Sequence, residues 1–311
     1  MRLALPAWMR LSPRYAPYAL LAPFLILFVV FGLFPLLFSL YLSFHSWEPT
    51  SGLGAMHWVG LDNFRFALAD AWFWKSLGNT AWLAVASGVP QHLVAIPLAT
   101  FLHIAFRRSR NAVVGAYFLP YITSSVAIAI LFSSLFSTDY GLVNLAIAHL
   151  REWPLVGALM PAQAVDWLND PDSLKPAIAT LVFWRYVGFN VVLYLAALQT
   201  IPPDLYEAAT MDGAGRFQQF FHITLPSLRP MIFFGVTLSI IGGLQLFEEP
   251  FILTGGKGGS DQAGMTAAVY LYRNAFDFND FGAASAMSWL LFLIVAALTW
   301  LTHRAFRRKD D

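Results

Sequence analysis

Residues 18–44 read YALLAPFLILFVVFGLFPLLFSLYLSF, twenty-seven positions without a single charge. At roughly 1.5 Å per helical residue, this run exceeds the ~20 residues needed to cross the hydrocarbon of a bilayer. Pro23 and Pro35 lie inside it, so the predicted first span is tilted or kinked. Arg2, Arg10 and Arg14 precede it in the manner of a signal peptide. No small-residue cleavage pattern follows, however, and the apolar run is too long for a signal core. The run reads as a retained membrane helix.

Composition extends that reading to the whole chain. Of 311 residues, 58% are hydrophobic and only 12% are charged, about half the charged share usual in soluble proteins. Twenty-eight Phe and eleven Trp exceed what one or two soluble cores would bury. A disordered chain, a collagen and a water-soluble globule are excluded. A net charge of +1 gives no basic footprint for nucleic acid, and the lack of Cys excludes disulfides and thiolate chemistry. Five further apolar stretches follow the first: Asn79–Leu102, Val113–Phe136, Pro176–Leu198, Pro230–Phe251 and Ala284–Thr302. The expected fold class is an all-α integral membrane protein with six transmembrane helices. One six-span domain covers residues 18–302, between tails at 1–17 and 303–311.

Orientation follows from the basic residues. With the N-terminus inside, the inner segments 1–17, 103–112, 199–229 and 303–311 hold 67 residues and twelve Lys or Arg. The outer segments 45–78, 137–175 and 252–283 hold 105 residues and six. Both termini are therefore expected on the cytoplasmic side. The outer segments carry aromatic clusters, Asp62-Asn-Phe-Arg-Phe66 and Ala71-Trp-Phe-Trp-Lys75. These suit either an interfacial belt in contact with membrane lipid or a surface that receives a partner protein.

The inner segment 199–229 is the most informative. Pro202 and Pro203 end the fourth span; Asp204 then caps a helix through Met211, with Glu207 completing a capping box. Ala208 and Ala209 keep that helix slim enough for close approach by another surface. Gly213 and Gly215 allow a sharp turn. A second short helix runs through Arg216–His222, and Pro226 breaks it before the fifth span. Taken alone, this helix–turn–helix could equally be an amphipathic connector lying on the membrane surface.

The string Glu207-Ala208-Ala209, three residues, Gly213, nine residues, Ile223-Thr-Leu225-Pro226 resembles without a gap the signature loop of bacterial binding-protein-dependent ABC importer permeases. Tyr206-Glu-Ala-Ala-Thr-Met-Asp-Gly-Ala214 and Phe251-Ile-Leu-Thr-Gly-Gly256 are similar to the carbohydrate branch, of the maltose-permease and glycerol-phosphate-permease type. Val59-Gly-Leu-Asp-Asn-Phe64, Leu119-Pro-Tyr-Ile122 and Gly282-Ala-Ala-Ser-Ala286 extend the likeness over nearly the whole chain. The resemblance implies a type I ABC importer permease fold in the bacterial inner membrane. It also implies three partners: an ABC ATPase dimer, a second homologous permease and an extracytoplasmic solute-binding protein. In that family the loop is a coupling helix seated on the ATPase, so Glu207, Ala208, Ala209, Gly213, Ile223, Leu225 and Pro226 would form or support that contact. Mg-ATP would be used by the partner.

This chain is not expected to bind nucleotide or act as an enzyme. A phosphate-cradling loop needs Gly-x-x-x-x-Gly-Lys-[Ser/Thr]. The nearest approach, Gly255-Gly-Lys-Gly-Gly-Ser260, follows Lys257 with Gly and places Phe251 at the first glycine position. No cofactor is expected on the chain. The seven His show no ligand spacing for a metal, and Ser124-Ser125 and Ser133-Ser134 read as close helix packing.

Ionisable residues inside spans are functional candidates. Arg185 lies nine residues into the fourth span, about 14 Å from its outer end by helical rise. Glu248 and Glu249 stand near the outer end of the fifth, within reach of Arg185, and either could pair with it. Gln245, three and four residues earlier, would share their helix face, and Pro250 would disturb the helix at Glu249. These four are the substrate-path candidates; a purely structural ion pair or interfacial anchoring is the plainer alternative. The expected function is a permease that imports a sugar or sugar derivative by alternating access. An ion- or proton-coupled secondary transporter is the alternative, although neither the internal repeat nor the several central charges of that class are evident.

Overall fold

The computed structural model describes residues 14–105 and 110–307. Arg2, Arg10, Arg107, Arg108, Arg308 and Lys309, six of the inner basic residues, lie outside the described residues, as do most of the first tail and the last four residues of the second. Among the described residues five helices are long and apolar enough to span a bilayer, and a bent helix pair meets the same length and polarity when taken together. The spanning helices are α1 (Ala16–Leu42), α2 (Ala71–Ala105), α5 (Pro171–Leu198), α7 (residues 216–244) and α9 (Phe281–Arg307). The bent pair is α3 (Arg110–Ile122) and α4 (Ser125–Leu135), while α6 (Pro203–Met211) and α8 (Glu248–Leu253) are short.

The chain forms two compact units. The first contains α1, a two-stranded antiparallel ribbon pairing His45 with Trp58 and Ser46 with His57, most of the helix Asp62–Ala69, and the start of α9. Asn63 fastens this unit locally: its side-chain amide donates to the carbonyls of Ser43 and His45 at 3.0 and 2.9 Å. The second unit contains the remaining helices. Its core joins Leu83 of α2, Phe132 of α4, Ile178 and Leu181 of α5, and Leu253 of α8. A second cluster packs Ala95, Ala99 and Leu102 of α2 against Val191, Tyr194 and Leu198 of α5 and Leu228 of α7. Gly188 on α5 lets the helices touch, because a Cβ there would stand 1.7 Å from the Tyr117 carbonyl oxygen on α3.

The third expected span is not one helix. α3 and α4 meet at an angle of 92° across Thr123 and Ser124. Ser124 takes an extended backbone (φ −53°, ψ 128°), and its carbonyl accepts from Ile128 as the new helix begins. Ser124 and Ser125 thus mark a break rather than a packing face. Ser133 and Ser134 bond back to the Ile130 carbonyl.

Two π turns let Pro35 and Pro226 lie within spans without ending them. Val29–Leu33 precedes Phe34-Pro35, and Phe220–Thr224 precedes Leu225-Pro226. In each, the residue before proline donates across five positions, Phe34 to the Val29 carbonyl and Leu225 to the Phe220 carbonyl. The wider turn makes room for the proline ring and its missing N–H. Pro226 therefore does not separate the second hairpin helix from the fifth span, as the sequence suggested; the two are continuous. The fifth span itself stops early, at Leu244, and non-helical residues 245–247 lead into α8. Thr266, fully buried, donates to the freed Leu246 carbonyl at 2.7 Å. Such a partner is what makes an interrupted helix tolerable at membrane depth.

Candidate functional site

Near the middle of its length, α5 presents Arg185 to the first turn of α8. The Arg185 guanidinium donates to Glu249 at 2.5 Å and lies 3.8 Å from Glu248. The Arg185 and Glu249 side chains are 11% and 3% exposed, whereas Glu248 is 57% exposed. Arginine therefore pairs inside the protein with one glutamate and leaves the other at the surface. Tyr186 adds a hydroxyl 3.5 Å from the same Glu249 oxygen, and its ring lies 5.4 Å from the Arg185 guanidinium carbon. Arg185 Nε is buried without a hydrogen-bond partner.

Two details differ from the sequence reading. Gln245 does not share a helix face with Glu248 and Glu249, because the helix ends between them and Gln245 is exposed. Nor does Pro250 disturb Glu249: proline occupies the first turn of α8, where no intrahelical N–H is required. The break falls upstream, where Gly242-Gly243 weaken the end of α7.

Beside this cluster lies a cavity of about 310 Å³ that sequence reasoning did not anticipate. Ser87, Gln91, Tyr121, Tyr186, Phe189 and Asn190 line it, together with Leu238–Gly243 near the end of the fifth span and Leu246 beyond it. Asn190 donates to the Gln91 side-chain oxygen at 3.1 Å, and Gln91 reaches the Val182 carbonyl at 3.4 Å. Tyr121 stacks on Phe189 with ring centres 4.7 Å apart. Amide groups beside an aromatic shelf can hydrogen-bond hydroxyls and pack against an apolar ring face. The signal available in the sequence was Gln91 and Asn190, uncharged amides within otherwise apolar runs. Next to the cavity, His92 shares hydrogen bonds with Tyr194 (2.7 Å) and Ser239 (3.0 Å), tying α2, α5 and α7 together.

The second candidate region is the hairpin between α5 and α7. Helix α6 starts at Pro203, not after Asp204, and no side chain caps it. Asp204 instead sits in the first turn, where a carboxylate favours the positive end of the helix. The expected Glu207 capping box is absent; the box-like contact occurs one helix later, where Gln218 accepts from the Gly215 N–H at 2.9 Å. Gly213 turns the chain at φ +80°, with nothing within 4 Å of where a Cβ would stand. Glu207, Ala208 and Gly213 are exposed, Ala209, Ile223 and Leu225 half-buried, and Pro226 exposed. Leu205, Met211, Phe217 and Phe221 add an exposed apolar surface. Large exposed apolar patches rimmed by polar groups mark interaction surfaces.

Residues 94–310 match the family described as the binding-protein-dependent transport system inner membrane component. The chain belongs to that family. This membrane component is 36% identical over 290 residues to the lactose transport system permease protein LacF of Rhizobium radiobacter, covering 93% of each chain. It is 32% identical to the arabinooligosaccharides transport system permease protein AraP of Bacillus subtilis, covering 94% of this chain and 88% of that one. Among solved structures, a bacterial ABC transporter involved in the import of the acidic polysaccharide alginate matches with a TM-score of 0.78 at 26% identity, covering 94% and 96%. The same kind of transporter in complex with an alginate pentasaccharide-bound periplasmic protein matches with a TM-score of 0.79 at 25% identity, covering 97% of each chain. The fold of this membrane component is that of an ABC importer permease, and it is a transport subunit rather than an enzyme. The family sets aside a secondary transporter.

Proposed function

We propose that this permease carries a sugar or sugar derivative inward by alternating access, driven by ATP hydrolysed in a partner. The observation that carries the proposal is the pairing of two features in one chain. An amide-and-aromatic cavity lies within the spans, and an exposed hairpin bears Glu207-Ala208-Ala209 and Gly213. The cavity chemistry suits hydroxyl-rich rings, and LacF and AraP bear the names of saccharide transport systems. In this reading an extracytoplasmic solute-binding protein delivers cargo to the outer segments, with both termini on the cytoplasmic side. A second, homologous permease completes the path, and an ABC ATPase dimer using Mg-ATP receives the hairpin. Arg185, Glu248 and Glu249 border the path on one side; Gln245, exposed just before α8, lies along it; Gln91, Tyr121, Phe189 and Asn190 meet the cargo.

Reconstitution tests the proposal. Proteoliposomes containing the permease pair and ATPase, supplied with binding protein, should take up a labelled saccharide only with ATP inside the ATPase compartment. Collapse of ion gradients should leave the rate unchanged. Asn190→Leu should depress uptake strongly while leaving ATPase bound. Uptake that survives without ATP, or that vanishes with an ionophore, would sink the proposal.

A further inference from the structure

Helix α6 buries none of its residues, yet two side-chain hydrogen bonds fasten it to the base of the fifth span. The Tyr206 hydroxyl and Thr224 Oγ1 share a hydrogen bond of 3.0 Å, and Gln219 Nε2 donates to Thr210 Oγ1 at 3.0 Å. Tyr206 and Thr210 stand four residues apart, on one face of the helix. Their partners lie on or beside the π turn Phe220–Thr224, whose last residue, Thr224, is 2% exposed.

The only covalent link from α6 to α7 is the turn through Asp212–Gly215. That turn is closed by the Ala214 N–H donating to the Ala209 carbonyl at 2.8 Å, but it runs through two glycines, Gly213 at φ +80° and Gly215. A displacement of α6 passed only through this turn would be partly taken up by backbone rotation at its two glycines. The Tyr206–Thr224 bond bypasses the glycines. It joins the middle of α6 directly to the π turn that precedes Pro226 in the fifth span. A π turn inserted into an α-helix is a local departure from regular pairing of the kind found at functional hinges.

We propose that Tyr206 is a positioning residue for transport: its hydroxyl, held on Thr224, passes the movement of the ATPase-facing helix α6 into the fifth span. The proposal rests on the reading of α6 as the ATPase contact. Glu207 and Ala208, both exposed, would lead that contact, while Tyr206, half-buried on the same side of the helix as Ala209 and Thr210, turns toward its own chain. Losing the hydroxyl should leave the ATPase docked and hydrolysing but let α6 move without the span.

The test uses the reconstituted complete transporter and measures ATP hydrolysed per cargo molecule imported. Tyr206→Phe and Thr224→Val each remove the bond while keeping the shape. Each should raise the ATP cost per cargo on the order of fivefold, the equilibrium weight of one hydrogen bond. The double variant should be no worse than either single one, because both remove the same interaction. Thr224→Ser restores a hydroxyl and should stay near the parent ratio. The chain has no Cys of its own, so a single Ala208→Cys can report, by cross-linking to the ATPase, whether α6 makes the contact. A cross-link with an unchanged ratio in both single variants overturns the Tyr206 proposal and leaves the docking assignment standing. Absence of the cross-link overturns both. Loss of the ATPase from Tyr206→Phe complexes also overturns it, since the tyrosine would then serve assembly only.

Discussion

Arg185 and Glu249 meet within the second unit with little of either side chain exposed, whereas Glu207 stands open to solvent on the hairpin with Ala208 and Gly213. Each region centres on a glutamate, but the two use it differently. Glu249 is held by a guanidinium and a tyrosine hydroxyl of the same chain. Glu207 sits among exposed Leu205 and Met211, in a surface this chain leaves open. In the proposed function the first arrangement, closed on itself, bears on stability and borders the path, and the second, completed by another molecule, serves coupling. Substitutions in the first should therefore be read in the permease alone, and those in the second only in the assembled transporter.

The largest effect is expected from Glu249→Ala. It strands Arg185, whose Nε already lacks a partner, with only the more distant Glu248 as counter-charge. Removing one member of a buried pair costs about 3–5 kcal/mol, so the thermal unfolding midpoint of the detergent-purified permease should fall clearly. Replacing both residues with Met should recover most of that loss, because two apolar chains leave no buried charge. An unchanged midpoint in Glu249→Ala would show that water already reaches the pair, and the contrast with the hairpin would collapse.

Gly213→Val comes next and acts at the other region. No atom lies within 4 Å of the added Cβ, so crowding contributes nothing. The cost is that of a β-branched residue held at positive φ, roughly 1–2 kcal/mol. The permease should remain folded in isolation, yet the hairpin should dock poorly, lowering both ATPase recovery and uptake. Gly213→Asn, which tolerates this backbone region, should lose much less. A fully active Gly213→Val transporter would remove the hairpin from the coupling assignment.

How far the sequence foretold these regions depends on the kind of signal each carries. Apolar runs announced the spans, because crossing hydrocarbon needs a length and polarity that a single segment must supply by itself. The hairpin was legible for the same reason: Pro203, Gly213 and the small alanines act locally, within one short stretch. Breaks were not legible. Pro226 and Pro250 both read as interruptions, but a π turn absorbs the first and a helix's first turn absorbs the second. Of the true interruptions, at Thr123–Ser124 and residues 245–247, neither falls at a proline, and the second is stabilised by a distant partner, Thr266. The cavity was missed for a related reason: Asn190 and Gln91 are 99 positions apart, and nothing in either neighbourhood names the other.

The smallest effect separates the two glutamates of α8. Glu248→Gln removes a charge 3.8 Å from Arg185 on a side chain that is 57% exposed. A solvated pair of this geometry contributes under about 1 kcal/mol, and salt screens it further. Stability should scarcely change, so any effect on transport must come through the path. Arg185 is neutralised by Glu249, which leaves Glu248 as an uncompensated negative charge at the exposed edge of the cluster. If cargo passes that edge, Glu248→Gln should ease uptake of acidic saccharides relative to neutral ones, and the difference should shrink as ionic strength rises. Competition between a neutral and an acidic saccharide in the same vesicles, at low and high salt, measures this directly. Equal ratios for the parent and the variant at both salt concentrations would place Glu248 outside the path and leave the buried Arg185–Glu249 pair as the cluster's whole contribution.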